Sequence, residues 1–224
     1  MAGMRRPCSI NRCGKQTSGF STHCELHKRT LRRHGHPEQQ GVTVFELKPY
    51  RDRIAARRAK NPSNPTWALL AARWEALTAH AAARLDASAM GVPGSSYERQ
   101  AAEQLMTLRD SVPPNDVVDA ALAMFALLEH RPARFKSDKA FDIQISRRVR
   151  GLAEANASSH WDAKEQRMKR TYRDVPPRVM ECMAESLKLA FGVAGMRLAE
   201  LEKKDAEGVR AEREQLHDAL EEMK

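Results

Sequence analysis

Apolar residues recur at helical spacing along most of the chain, separated by prolines, glycines and short polar runs. Leu70, Trp74, Leu77, Ala81 and Leu85 form one stripe on a segment that Pro65 opens and a turn from Gly91 to Gly94 closes, the pattern of an amphipathic helix. Tyr97, Ala101, Leu105 and Leu108 make a second stripe. A third, with Val118, Ala121, Leu122, Phe125 and Leu128, begins after Pro113 and Pro114 and is wide enough to predict a buried central helix. Phe141, Ile145, Val149 and Leu152 make a fourth, whose other faces carry Lys139, Arg147, Arg148 and Arg150. The segment from Trp161 to Arg173 is read as a further helix, polar and basic around a single Met168.

From Arg178 to Lys224 there is no proline. Met183, Leu187, Ala190, Ala194, Leu198 and Leu201 keep the helical period, and Asp205, Val209, Leu216, Leu220 and Met223 continue it more loosely. This predicts a long helix or a helical hairpin, with Gly192, Gly195 and Gly208 as weak points. Self-association along this seam would make a homo-oligomer, although Asp205 interrupts the heptads. Ahead of the stripes, Val42, Val44 and Phe45 fit one short strand or a linker. Pro49 to Lys60 reads as a short basic helix that Arg57 and Arg58 would let touch phosphate or solvent. The predicted fold class is all-α: a small amino-terminal module at 1–37, a basic linker with a short helix at 38–64, a helical body at 65–174 and a long helical segment at 175–224.

Composition narrows the function classes. The chain has 224 residues, a net charge of +9 and 42% apolar residues, enough to bury a core without disulfides. No apolar run approaches the roughly 18 residues of a membrane span, and the first eight residues lack the apolar stretch of a signal peptide. A cytoplasmic location is expected. The charge is unevenly placed: residues 1–60 hold 14 basic and 4 acidic side chains, and residues 131–178 hold 13 and 6. A clustered cationic surface favours a polyanion through counterion release, although a solvated arm would look the same.

Three of the four cysteines lie in the first 24 residues. Cys8, Cys13, Cys24 and His27 are spaced Cys-x4-Cys-x10-Cys-x2-His, two claws joined by a loop, which suits one structural Zn2+ ion better than a disulfide in a reducing compartment. His34 or His36 could replace His27, and His23 adjoins Cys24 on another face. Thr22 and Glu25 fit a capping box, so the second claw is expected on a helix from about His23 to His34, stopped by Gly35 and Pro37. Cys24, His27 and Leu31 would face the metal and a small core, leaving Lys28, Arg29, Arg32 and Arg33 for phosphate. Cys182, beside Met183, reads as a small buried apolar residue.

The run from Cys8 to Cys13, Gly19 and Phe20 in the loop, Cys24 to His27, and the Leu31-to-Pro37 tail resemble the zinc-binding module near the start of many bacterial and phage HNH endonucleases. The resemblance covers about residues 7–37. It implies metal ligation by Cys8, Cys13, Cys24 and His27 and nucleic-acid contact by the basic helix. It does not extend to catalysis, because His80, His130, His160 and His217 stand 30 or more residues apart and form no His-Asn-His set. No catalytic triad, phosphate loop or dinucleotide fingerprint is present, and the expectation is against an enzyme. The function expected is a zinc-stabilised nucleic-acid-binding accessory or regulatory protein of phage or mobile-element type, with double-stranded DNA as partner. A protein-interaction factor with a zinc staple is the alternative, and a metal-dependent nuclease the third reading.

Overall fold

A computed structural model describes residues 6–17 and 20–222. Seven α-helices and one two-stranded hairpin are found among them: α1 (Glu25–His34), α2 (Val44–Lys60), α3 (Pro65–Ala89), α4 (Ser96–Ser111), α5 (Pro114–His130), α6 (Asp138–Arg150), β1 (Ala157–Asp162), β2 (Arg167–Tyr172) and α7 (Pro177–Glu222). Gly19 and Met223, part of the sequence patterns above, lie outside the described residues. No described helix is long and apolar enough to cross a membrane.

The body is built around α5. Its residues from Val117 to Leu127 are all buried, the burial expected of a helix covered on every side. α2, α3, α6 and α7 pack against it. α4 packs on α3 and α7, and the stripes read from sequence supply the buried faces: Leu70, Trp74 and Ala81 on α3, Leu105 and Leu108 on α4, Met183 and Leu187 on α7. Phe125, Phe141 and Phe135 pack in a row with ring centroids 5.5 and 5.2 Å apart, the first pair tilted and the second edge-to-face.

α7 runs for 46 residues without a break, about 69 Å at 1.5 Å per residue. The hairpin alternative is not adopted, and Gly195 explains part of the reason. A Cβ there would stand 2.5 Å from the ring of Phe125, so glycine lets α7 approach α5 and is a packing device, not a weak point.

Residues 38–64 are no loose linker. Val42 is buried, Thr43 caps α2 by accepting the Glu46 N–H at 3.0 Å, and Leu47, Tyr50 and Ile54 turn one face of α2 into the common core. The strand suggested at 42–45 is absent because this cap starts the helix at Val44. Asn61 to Pro65 separates two helices that share one core.

The expected basic helix from Trp161 to Arg173 is instead the β1–β2 hairpin, with Trp161 opposite Met168 and Ala157 opposite Tyr172. Asp162 nucleates the turn by accepting the N–H groups of Lys164 and Glu165 at 2.9 and 3.1 Å, and Gln166 adopts a left-handed φ of 49°. Such Asp-centred turns favour a hairpin over a helix.

Candidate metal centre and the arginine cleft beside it

The first claw is a small loop closed on itself. The Cys8 N–H donates to the Lys15 carbonyl at 2.9 Å, Thr17 N–H to Arg6 at 2.8 Å, and Cys13 N–H to Ile10 at 3.1 Å. Arg12 and Gly14, with φ of 60° and 63°, turn the chain sharply enough to bring Cys13 back beside Cys8. The Ser9 N–H donates to Thr22 at 2.9 Å, which ties this loop to the entry of α1. There Cys24 is the N-cap and His27 lies one turn on. The helix therefore starts two residues after the expected position, and no Thr22 capping box forms. Cys24 takes the extended conformation of a cap, with its thiol among the other ligands.

The four ligand atoms lie within 4.8 Å of one another. Cys13 Sγ is 3.8 Å from Cys24 Sγ, Cys24 Sγ is 3.5 Å from His27 Nδ1, and Cys8 Sγ is 3.3 Å from His27 Nδ1. A tetrahedral zinc with Zn–S of about 2.3 Å and Zn–N of about 2.05 Å has S–S edges near 3.8 Å and S–N edges near 3.6 Å. These three edges are close to those dimensions, whereas a disulfide would need about 2.05 Å; all three cysteines are free. Cys8, Cys13, Cys24 and His27 thus form a Cys3His set that fits a metal ion.

The environment favours charge at one thiol. Burial opposes ionisation of Cys8, but hydrogen bonds from the Cys24 and Ile10 backbones, His27 and Cys13 outweigh it and bring the thiol down to about 6. At Cys13 the Lys15 backbone acts downward, yet burial and the neighbouring Cys24 and Cys8 thiols raise it. Thiolates this close repel one another, and a dication relieves that repulsion.

The other candidate histidines have different partners. His23 Nδ1 meets Ser9 Oγ at 2.9 Å, and His36 Nδ1 accepts the Glu38 N–H at 3.2 Å. His34 Nδ1 accepts from Gln144 Nε2 at 3.0 Å, while Gln144 Oε1 accepts the Val42 N–H at 2.8 Å. Burial first, then Arg147 and Arg33, lowers His34 to about 4, so it is neutral and suited to accept. Gly35, with φ 81°, closes α1 where a Cβ would strike the Lys139 carbonyl at 2.6 Å. These contacts fasten the module to α6. The small apolar core expected under α1 is absent: the helix has no fully buried residue.

Between α1, α6 and the start of α7 lies a cleft of about 610 Å3 lined by Arg29, Arg32, Arg33 and Arg147 with a single acid, Asp174. Asp174 accepts from Arg33 Nε at 3.2 Å and from Arg147 at 3.4 Å. Arg147 also lies over the Tyr172 ring, 4.6 Å from its centroid. Arg29 and Arg32 are exposed and have no ion pair among the described residues. The structure thus brings three residues of the basic helix together with one from the distant basic band. Asp174 and Tyr172 were not found by sequence reasoning, and no local motif marks them.

The remaining cations are engaged elsewhere. Lys28 pairs with Glu25 at 2.9 Å. Arg57 binds Glu202 at 2.6 Å and also Asp205. Arg58 pairs with Asp119 and lies over Trp67. Arg148 is buried and donates to the Tyr172 hydroxyl. Arg57, Arg58 and Arg148 therefore serve the packing of the body and do not line the cleft. Arg150, expected on a basic face, is also buried; it donates to Gln104 at 2.6 Å and Asn156 at 3.1 Å, and burial lowers it to about 10. Cys182 is half-buried, and burial raises its thiol.

Comparison with models of protein families, with curated proteins and with solved structures returned no match.

Proposed function

We propose that this protein binds nucleic acid through the arginine cleft, with zinc holding the helix that supplies three of the four arginines. The observation that carries this reading is the convergence of Arg29, Arg32, Arg33 and Arg147 around one carboxylate. Four guanidiniums with one internal counter-ion leave an excess of about three charges, and their planar forks suit phosphate oxygens. Double-stranded DNA is the proposed partner, since its closely spaced phosphates reward such a cluster through counterion release. The zinc is structural in this reading: Cys8, Cys13, Cys24 and His27 would fill a tetrahedral shell and stabilise a segment without an apolar core.

Binding of the zinc-loaded protein to a short duplex, followed as salt is varied, tests this. Three to four phosphate contacts give a log–log slope of about −3, and Arg29→Ala with Arg32→Ala should reduce its magnitude by about 2. No binding at low salt, or an unchanged slope in the double variant, refutes the proposal.

A second reading is self-association along α7, not through the expected seam, whose Met183, Leu187 and Ala190 are buried in the body, but through the outer face. Leu189 and Val193, four residues apart, are 85% and 77% exposed, unusual for large apolar side chains on one helical face. Sedimentation of wild type and Leu189→Glu should then show an oligomer and a monomer respectively; two monomers refute this reading.

A further inference from the structure

The β1–β2 hairpin is not accounted for by the core. Its root is fixed: Arg150 donates to Asn156 Oδ1 at 3.1 Å and to the Arg173 carbonyl, Arg173 N–H donates to Asn156 at 3.0 Å, and Tyr172 contacts Arg147 and Arg148. Its far end carries an apolar pair in solvent. Trp161 and Met168, directly opposite one another, are 55% and 60% exposed. An isolated cross-strand pair of this size stabilises a hairpin modestly, but it leaves most of an indole facing water.

Three observations assign an occupant. By strand alternation Trp161 and Met168 share a face with Tyr172, and Tyr172 is the ring on which Arg147 of the cleft rests. Four residues of strand put Trp161 about 13 Å beyond that root. Residues 157–173 hold five basic and two acidic side chains, and both acids are paired with Lys169, so the charge around the apolar pair is positive. An aromatic side chain on a strand face shared with the ring that supports a cleft arginine can serve as a stacking platform for a base. Prying a base from a perfect duplex costs a few kcal/mol, a cost that an unpaired base avoids.

We infer that the hairpin tip stacks on an unpaired base of the strand whose phosphates lie in the arginine cleft. This inference rests on the proposed nucleic-acid binding and adds a preference for DNA with an unpaired end over blunt duplex. The zinc-loaded full chain is titrated with a blunt duplex and with the same duplex bearing three unpaired thymines. Wild type should bind the overhang about tenfold more tightly, Trp161→Ala should bind both alike, and Trp161→Phe should keep most of the preference. Tryptophan fluorescence should fall on adding the overhang, with most of the drop missing in Trp161→Phe; this second readout uses the unaltered hairpin. Equal wild-type binding to both DNAs, or a preference that survives Trp161→Ala, overturns the inference while leaving the cleft intact. Failure to bind either DNA at low salt overturns both.

Discussion

The amino-terminal module and the helical body sit against each other, but the contacts that organise them differ in kind. α1 has no fully buried residue, and the organising contacts around it are four ligand atoms at coordination distances. α5 buries eleven consecutive residues and depends on close packing. A metal concentrates stabilisation in a few bonds, whereas a core spreads it over many small contacts. A module held by a metal in this way can carry exposed arginines on a helix that would be marginal alone.

The sharpest way to break this contrast is to remove the ion. Chelation, or Cys24→Ser, should abolish ordered signals from residues 6–17 and 20–33 while the thermal transition of the body persists. Structural zinc contributes about 10 kcal/mol or more in small modules; two-dimensional NMR would register the selective loss, and simultaneous unfolding of the body would contradict the division. Next in size is the reverse lesion. Leu122→Ala, at a fully buried site, should cost the body about 3 kcal/mol in urea unfolding with the metal content of the Cys3His set unchanged.

The segment that leads from the module into the body is expected to be held more weakly. Arg134 donates to both oxygens of Glu46, at 2.7 and 3.0 Å, and to the Gln40 and Gly41 carbonyls. Arg134→Ala should destabilise the protein by about 2 kcal/mol. The hydrogen bond from Arg134 outweighs burial and holds Glu46 below the usual carboxylate range. Its contribution is present above the ordinary Glu value and is lost as pH falls through the lowered folded one. A double-mutant cycle with Glu46→Gln should show coupling at neutral pH that fades in acid. The last expectation concerns His34, whose folded value of about 4 lies below its ordinary 6.5. The unfolded chain takes up the proton first, so stability falls as pH drops from about 6.5 toward 4. His34→Gln should flatten that part of the profile, and an unchanged slope would show that the buried contact is not its source.

Much of the body was legible in sequence because helix burial has a period: Leu70, Trp74 and Ala81 could be placed on one face from spacing alone. The ligand set was legible for a related reason, since Cys24 and His27 sit within one turn. The start of α1 was misplaced because Thr22 and Glu25 satisfy the capping pattern, while the geometry of the ligand set makes Cys24 the cap. The hairpin was misread because Trp161, Met168 and Tyr172 are compatible with either period, and the decision falls to the turn at Asp162. Arg148 and Arg150 counted as surface charge, yet their partners Tyr172, Gln104 and Asn156 lie on other elements. The cleft was beyond local reading, because Arg32 and Arg33 meet Arg147 and Asp174 only through tertiary packing.

Gln144 gives the segment between module and body a further property. One end of this fully buried amide holds His34 and the other holds Val42, so the chain from 34 to 42 is closed into a ring without a covalent link. Such a ring acts as a stopper for fraying: disorder spreading inward from a metal-free knuckle meets a closed loop that can open only by stranding a buried amide. The frontier between the part that melts with the ion and the part that endures therefore falls within the last turn of α1.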